Sequence, residues 1–336
     1  NYMHQIFKSF GDVQFYKSSI FGSIKNIYFS IIGFFFVLKN FTIIKKRNLD
    51  WFINNFKIAD INVGDLIYDT NIRYNHKYID HKKDLKFFAT ILTTYVKVNL
   101  INDILKKNKI KYILMGQQSY ATIGAIALRM GIKYKIKTLE PTNDFLCRQF
   151  FIEYNKNKID FGPYNFFYRY LKNDKKLLSR LKFKNKEFDN FFYKRCLGKI
   201  KLGYSGEVDL MKANQNPNLK INRKKLLKRF DMSENRIKKI VVVAFHAFSD
   251  APHGDGVDMI FTDYYAHAKE TLNFLKTNYN KNTLYLIKPH PTRFLYNEHG
   301  LFENLFEKII NEEKNIKICP VDISTYSLIK LCDAVV

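Results

Sequence analysis

The run VVVAFHAFSDAPHGDGVDMIFTDYYAHAKETLNFLKTNYNKNTLYLIKPHP, residues 241–291, decides the fold. With Ile240 it opens on β-branched residues, IVVVAF (240–245), then passes through a polar loop over 246–262 and a helical stretch from Asp263 to Thr277. A second short apolar run, TLYLIK (283–288), leads into a loop from Pro289 to Asn297. Downstream the pattern predicts a helix over 301–312, a strand IKIC (316–319), a Ser/Thr loop, a short helix over 325–331 and a last strand DAVV (333–336). Short apolar strands alternating with helices across short loops read as α/β, a parallel, doubly wound sheet. The chain stops on a strand without the helix expected to cover it, which predicts a domain cut short.

Upstream, IKYILM (110–115) reads as a buried strand and Gly116-Gln117-Gln118-Ser119 as a loop. A small-residue helix follows over 121–130, stopped by Gly131, and then a strand YKIKTLE over 134–140. This is a βαβ unit whose polar loop sits at a strand's carboxyl end, where open parallel sheets place ligands. Residues 1–108 alternate aromatic runs with Lys/Asn-rich connections and favour no single element type. Residues 151–235 are Lys-, Asn- and Phe-rich with helical stretches, and turn residues concentrate at NQNPNL (214–219). We therefore expect two domains, 1–230 and 231–336.

The chain has 336 residues, 56 Lys+Arg against 31 Asp+Glu and a formal charge of +25; 46% of residues are hydrophobic, which excludes disorder as a description of the whole. Residues 231–336 carry 12 basic and 14 acidic side chains, so 44 basic and 17 acidic residues fall in 1–230. All the excess positive charge lies in the first two thirds. That suits an anionic partner, either a membrane surface or nucleic acid; the basic residues are spread rather than striped and no nucleic-acid motif accompanies them. The four cysteines, Cys147, Cys196, Cys319 and Cys332, form no CxxC pair, so reduced thiols in a cytoplasmic protein are expected. The longest apolar run, Ile27 to Leu38, is 12 residues and too short to cross a bilayer. It reads as a buried helix or strand, although Lys25 before it and Lys39, Lys45, Lys46 and Arg47 after it also suit docking at a membrane surface.

Five of the eight histidines lie between His246 and His299. The loop after the first strand holds His246, Asp250, His253, Asp255 and Asp258; the loop after the second holds Lys288 and His290; DISTYS (322–327) brings Ser324 and Thr325 to a helix start. In a parallel sheet these loops converge at one edge. Lys288 and His290 as donors, with free N–H groups near Ser324 and Thr325, describe a phosphate or diphosphate site. Pro289 and Pro291 fix the backbone around His290 and so aim its imidazole. His246, Asp250 and His253 also have metal-ligand chemistry, but no HExxH spacing accompanies them. There is no GxGxxG, P-loop or GxSxG motif.

These residues, VVVAFHAFSDAPHGDG, LYLIKPHP and ISTYSLIKLCDAVV, resemble the carboxyl-terminal half of bacterial surface-carbohydrate glycosyltransferases of GT-B architecture. That architecture has two facing Rossmann-like domains and builds capsule and lipopolysaccharide. A Lys-x-His-Pro motif after a strand is also found in Kdo-type capsule transferases, bacterial sialyltransferases and teichoic-acid glycerophosphotransferases. The resemblance implies donor-phosphate contact for Lys288 and His290, a cleft position for Asp250 and His253, and an acceptor-side loop at Gly116, Gln117 and Gln118. The expected activity is metal-independent sugar transfer from a nucleotide-sugar donor, without a further cofactor, to a capsular or lipid-linked acceptor at the inner face of the cytoplasmic membrane. Asp250 is the first candidate for the base, then His246 and His253. A phosphotransferase using a CDP-type donor is the nearest alternative; nucleic-acid binding and metallohydrolysis are alternatives of other classes.

Overall fold

Among the described residues, the aromatic-rich amino-terminal sequence folds mainly as helix. In a computed structural model, the residues described are 24–75, 84–114, 119–143, 149–154, 190, 194, 221–253, 260–290, 298, 300–320, 323 and 325–336. Helix α1 (Ile24–Lys46) is followed by α2 (Leu49–Asn55), the short strands β1 (Lys57–Ile58) and β2 (Ile61–Asn62), α3 (Gly64–Asn75) and α4 (Leu85–Lys107). Next come β3 (Tyr112–Leu114), α5 (Ile123–Lys133), β4 (Lys137–Asn143) and β5 (Gln149–Tyr154). The carboxyl-terminal elements are α6 (Arg223–Lys228), β6 (Lys239–Ala244), α7 (Tyr264–Asn278), β7 (Thr283–Lys288), α8 (Leu301–Glu312), β8 (Ile316–Ile318), α9 (Thr325–Leu331) and β9 (Ala334–Val335).

The described residues fall into two compact units. Of the described residues, the first takes 24–67, 84–114, 121–143 and 149–154; the second takes 68–75, 119–120 and those from 190 onward. Helix α3 is thus divided at Ile67.

In the first unit the core gathers Phe52, Phe56, Ile67, Phe87, Ile91 and Ile126 from α2, its C-cap, α3, α4 and α5. Strands β1 and β2 form a hairpin whose turn residues Ala59 (φ 48°) and Asp60 (φ 64°) are both left-handed, the backbone that a tight two-residue hairpin requires. Arg129 of α5 is nearly buried and forks onto both oxygens of Asp65, at 2.6 and 2.5 Å, while also donating to the Asn62 carbonyl at 2.6 Å. Strands β3 and β4 are parallel, with Tyr112 opposite Lys137, across the crossover helix α5. The βαβ unit is therefore present, but its first strand is not buried as expected: Tyr112 and Leu114 are exposed. Strand β5, however, runs antiparallel to β4, so this sheet (β3-β4-β5) is mixed rather than wholly parallel.

Gly131 does not stop α5, which runs on to Lys133. Its missing Cβ lets the helix approach Thr138 and Ile113, and the chain turns instead at Lys135 (φ 57°). The apolar run over 27–38 is part of a helix of 23 residues, only 17% of whose most apolar window is buried. The expectation of a short, buried element is corrected on both counts.

The second unit is α/β around a four-stranded, entirely parallel sheet in the order β8-β7-β6-β9. Period-2 alternation gives its central strands, β6 and β7, two buried faces. Val243 and Ile287 pack with Ala268, Leu272 and Leu275 of α7 and Phe302, Phe306 and Ile309 of α8. Ile240, Val242, Leu284 and Leu286 pack the other way, with Leu226 and Leu227 of α6 and Leu328 of α9. Helices on both faces make a three-layer sandwich, as the alternation in sequence predicts. The sheet starts at β6 and grows outward through β7 to β8, then reverses to place β9 on β6's free side. This reversal is the point where open α/β sheets bind ligands, beyond the strands' carboxyl ends.

Candidate functional site

The carboxyl ends of β6 and β7 lie side by side, with Ala244 opposite Lys288, and Phe245 N–H continues the ladder to the Lys288 carbonyl at 2.9 Å. His246 lies two residues past β6, and His290 two residues past β7. Their rings stack with centroids 5.2 Å apart and planes 26° apart. Tyr264, the first residue of α7, stacks on His246 at 4.4 Å and 19°. Three rings from three consecutive elements thus meet at the strand ends.

His246 is exposed, and its Nδ1 lies 3.3 Å from the Ala247 carbonyl and 3.7 Å from an Asp250 oxygen. A carbonyl only accepts, so Nδ1 carries the hydrogen, which leaves Nε2 as the basic ring atom. Asp250 is held in turn, because the Tyr120 hydroxyl donates to its Oδ1 at 3.1 Å. Tyr120 is buried in the left-handed region (φ 62°), a conformation costly for an aromatic residue, and the Arg73 guanidinium lies over its ring at 5.7 Å. Burial first, and then the Asp250 charge, push the Tyr120 phenol well above its ordinary value, which keeps it a donor.

His290 is mostly buried. Desolvation, followed by the neighbouring His246 and outweighing the opposing pull of Asp250, lowers its pKa from 6.5 to about 4. It is therefore a neutral imidazole near pH 7, and Lys288 beside it is the cationic group of the pair.

The loop after β6 is pinned from below. Glu298, nearly fully buried, accepts from Ser249 N–H and from the Ser249 hydroxyl, both at 2.6 Å. His253 N–H donates to buried Asp69 at 3.1 Å, and its Nε2 donates to the Thr262 carbonyl at 2.8 Å. Asp263 caps α7 through Ala266 N–H at 2.7 Å and accepts the Tyr68 hydroxyl at 2.5 Å. With Asp263 occupying the start of α7, that helix end is not open to a ligand anion.

The arrangement brings together His246, Asp250, Lys288 and His290 of the predicted set. His253 is present but engaged on both its backbone N–H and its Nε2, as a tie between loop and helix α3. Thr325 is the first residue of the seven-residue helix α9. Ser324, Gly116, Gln117 and Gln118 lie outside the described residues, as do Asp255 and Asp258. Among the described residues, no three His, Cys, Asp or Glu side chains are grouped so as to hold a metal ion.

Sequence reasoning missed Tyr120, Tyr264, Asp69 and Glu298. Tyr120 and Asp250 are 130 residues apart, and neither periodicity nor a local motif links them. Tyr264 had a weak signal, since it begins the helix that the β6 loop must enter. Compared with models of known protein families, with curated proteins and with solved structures, the chain matches none.

Proposed function

We propose that the chain is a GT-B-type glycosyltransferase that moves a sugar from a nucleotide-activated donor to a capsular polysaccharide or lipooligosaccharide precursor by metal-independent displacement. The observation that carries this reading is the stack of His246 on His290 at the ends of two adjacent parallel strands, beside the reversal in strand order, with Lys288 on the second strand.

The Lys288 ammonium and a neutral His290 N–H suit a donor diphosphate, adding one charge and one directed hydrogen bond to the leaving oxygens. The acceptor hydroxyl oxygen attacks the anomeric carbon. As the carbon–phosphate-oxygen bond breaks, its electron pair passes to the departing nucleotide. The acceptor's proton goes to His246 Nε2. Asp250 serves as a positioning residue that holds Nδ1–H toward itself and the Ala247 carbonyl, and Tyr120 steadies Asp250. This reverses the order expected from sequence, where Asp250 came first, because Asp250 already accepts from Tyr120 and faces the imidazole.

The test is incubation with UDP-, GDP-, CMP- and CDP-linked donors while following nucleotide release. One donor should turn over with the native chain, and His290→Ala should slow it by about 10²–10³-fold. Equal turnover in that variant overturns the reading. Turnover of CDP-glycerol alone assigns a glycerophosphotransferase instead.

A further inference from the structure

Helix α1 is apolar on all sides, yet only one side is covered. Its inner face packs antiparallel on α4: Lys25, at the start of α1, pairs with Asp103 near the end of α4 at 2.8 Å, Phe36 meets Tyr95 at 4.8 Å, and Phe41 meets Phe88 at 4.8 Å near the start of α4. The outer face carries Ile24, Ile27, Tyr28, Ile31, Phe34, Phe35 and Leu38, each more than half exposed among the described residues. Their spacing of three and four places them in one stripe, about 21 Å long. Side chains of this size leave on the order of 600 Å² of apolar surface, the upper end of what a soluble monomer tolerates.

The stripe ends on charge. Lys45, seven residues beyond Leu38, and Lys46, eleven beyond Phe35, continue the same face, Lys39 borders it, and Arg47 follows; all four are exposed. Lys45 also lies over the Phe41 ring at 4.1 Å. Beside this end is a surface hollow of about 610 Å³ lined by Lys46, Arg47, Asn48, Asp50 and Trp51 among others, and the Arg47 guanidinium lies 5.4 Å over the Trp51 ring. An apolar stripe with lysines and a tryptophan at its end matches a bilayer interface, with acyl chains against the stripe and anionic headgroups against the cations.

By length and composition alone α1 could cross a bilayer. Its packing argues against that. Along its length α1 is fastened to α4, which carries Lys86, Lys97, Asp103, Lys106 and Lys107; crossing would take these into hydrocarbon or strip α4 away. We infer that α1 lies in the plane of an anionic membrane surface and is the face by which the first unit docks there. This inference does not rest on the transferase reading, and its test involves no donor.

The test is flotation of the full chain with vesicles of phosphatidylcholine alone or of equimolar phosphatidylcholine and phosphatidylglycerol. Binding to the anionic vesicles is expected, released by high salt. Ile31→Glu with Phe35→Glu should abolish it, and Lys45→Glu with Lys46→Glu should weaken it about tenfold or more. All four positions are exposed, so the variants should fold, which circular dichroism checks. The inference is overturned by absence of binding, by unchanged binding in both variants, or by retention in membranes under alkaline carbonate, which would mean a span. It is equally overturned if the native chain is a dimer that Ile31→Glu with Phe35→Glu makes monomeric, which would mean that a second copy covers the stripe.

Discussion

His290 pairs an unfavourable burial with the role proposed for it, and the burial has a measurable consequence. Its folded pKa of about 4 lies below the 6.5 of an unperturbed imidazole. Between those values the unfolded chain binds a proton that the folded site refuses, so stability falls as pH drops from 6.5 toward 4. The loss is on the order of 2 kcal/mol. Replacing His290 by Asn should remove that part of the acid sensitivity, seen as a smaller fall in urea midpoint between pH 7 and pH 4.5. A diphosphate beside the ring reverses the balance by favouring the imidazolium. Nucleotide affinity should then rise as pH is lowered from 7 toward 5 and should lose that dependence in the Asn variant, as calorimetric titration would show. His246, Asp250, Lys288 and His290 were legible because each sits within six residues of a strand that its β-branched neighbours announce. Tyr120 and Asp69 were not, since what makes them part of the site is a fold that returns distant chain to the β6 loop.

Among the elements, α7 shows how one residue serves two structures. Asp263 caps the helix and also accepts the buried Tyr68 hydroxyl, 195 residues away in sequence. Asp263→Ala removes the cap, worth about 1 kcal/mol, and the hydrogen bond that Asp263 accepts from the buried Tyr68 hydroxyl, worth about another 1–3 kcal/mol. Chemical denaturation should report a total loss of about 2–4 kcal/mol, whereas Asn222→Ala, at the exposed cap of α6, should cost only about 1 kcal/mol. Ion pairs divide in the same way. Asp65→Ala removes the carboxylate that pairs with nearly buried Arg129 and should cost about 3 kcal/mol, while the pair between exposed Lys25 and half-buried Asp103 should contribute no more than about 1 kcal/mol. The elements from β6 to β9 were legible to within a residue or two, because the central strands β6 and β7, buried on both faces, read as continuous apolar runs between turn residues. Helix α1 was not. Its Phe/Ile/Val-rich run suits strand or helix equally, and because apolar residues line both of its faces it lacks the amphipathic pattern that would have marked it as helix.

Over the whole molecule, the +25 charge divides almost evenly between the two compact units, so the proposed readings rest on the strand-end histidines for a nucleotide at the second unit and on helix α1 for a lipid surface at the first. The chain itself supplies the reporter that separates them. Trp51 is its only tryptophan and belongs to the first unit, half-buried beside the basic end of α1. Anionic vesicles should therefore shift Trp51 emission to the blue, as the indole enters a less polar interface. A nucleotide bound at His246, Lys288 and His290 should leave that emission where it is. The same nucleotide, at a hundredfold its dissociation constant, should raise the stability of the second unit by about 2.7 kcal/mol, because it binds only the folded site; calorimetry would register this as a higher transition temperature. His290→Asn should diminish the calorimetric shift and spare the vesicle-induced emission change, whereas Phe35→Glu with Ile31→Glu should abolish the emission change and spare the calorimetric shift. Loss of both responses in either variant would mean that one surface takes both ligands, and the division of labour between the units would fall.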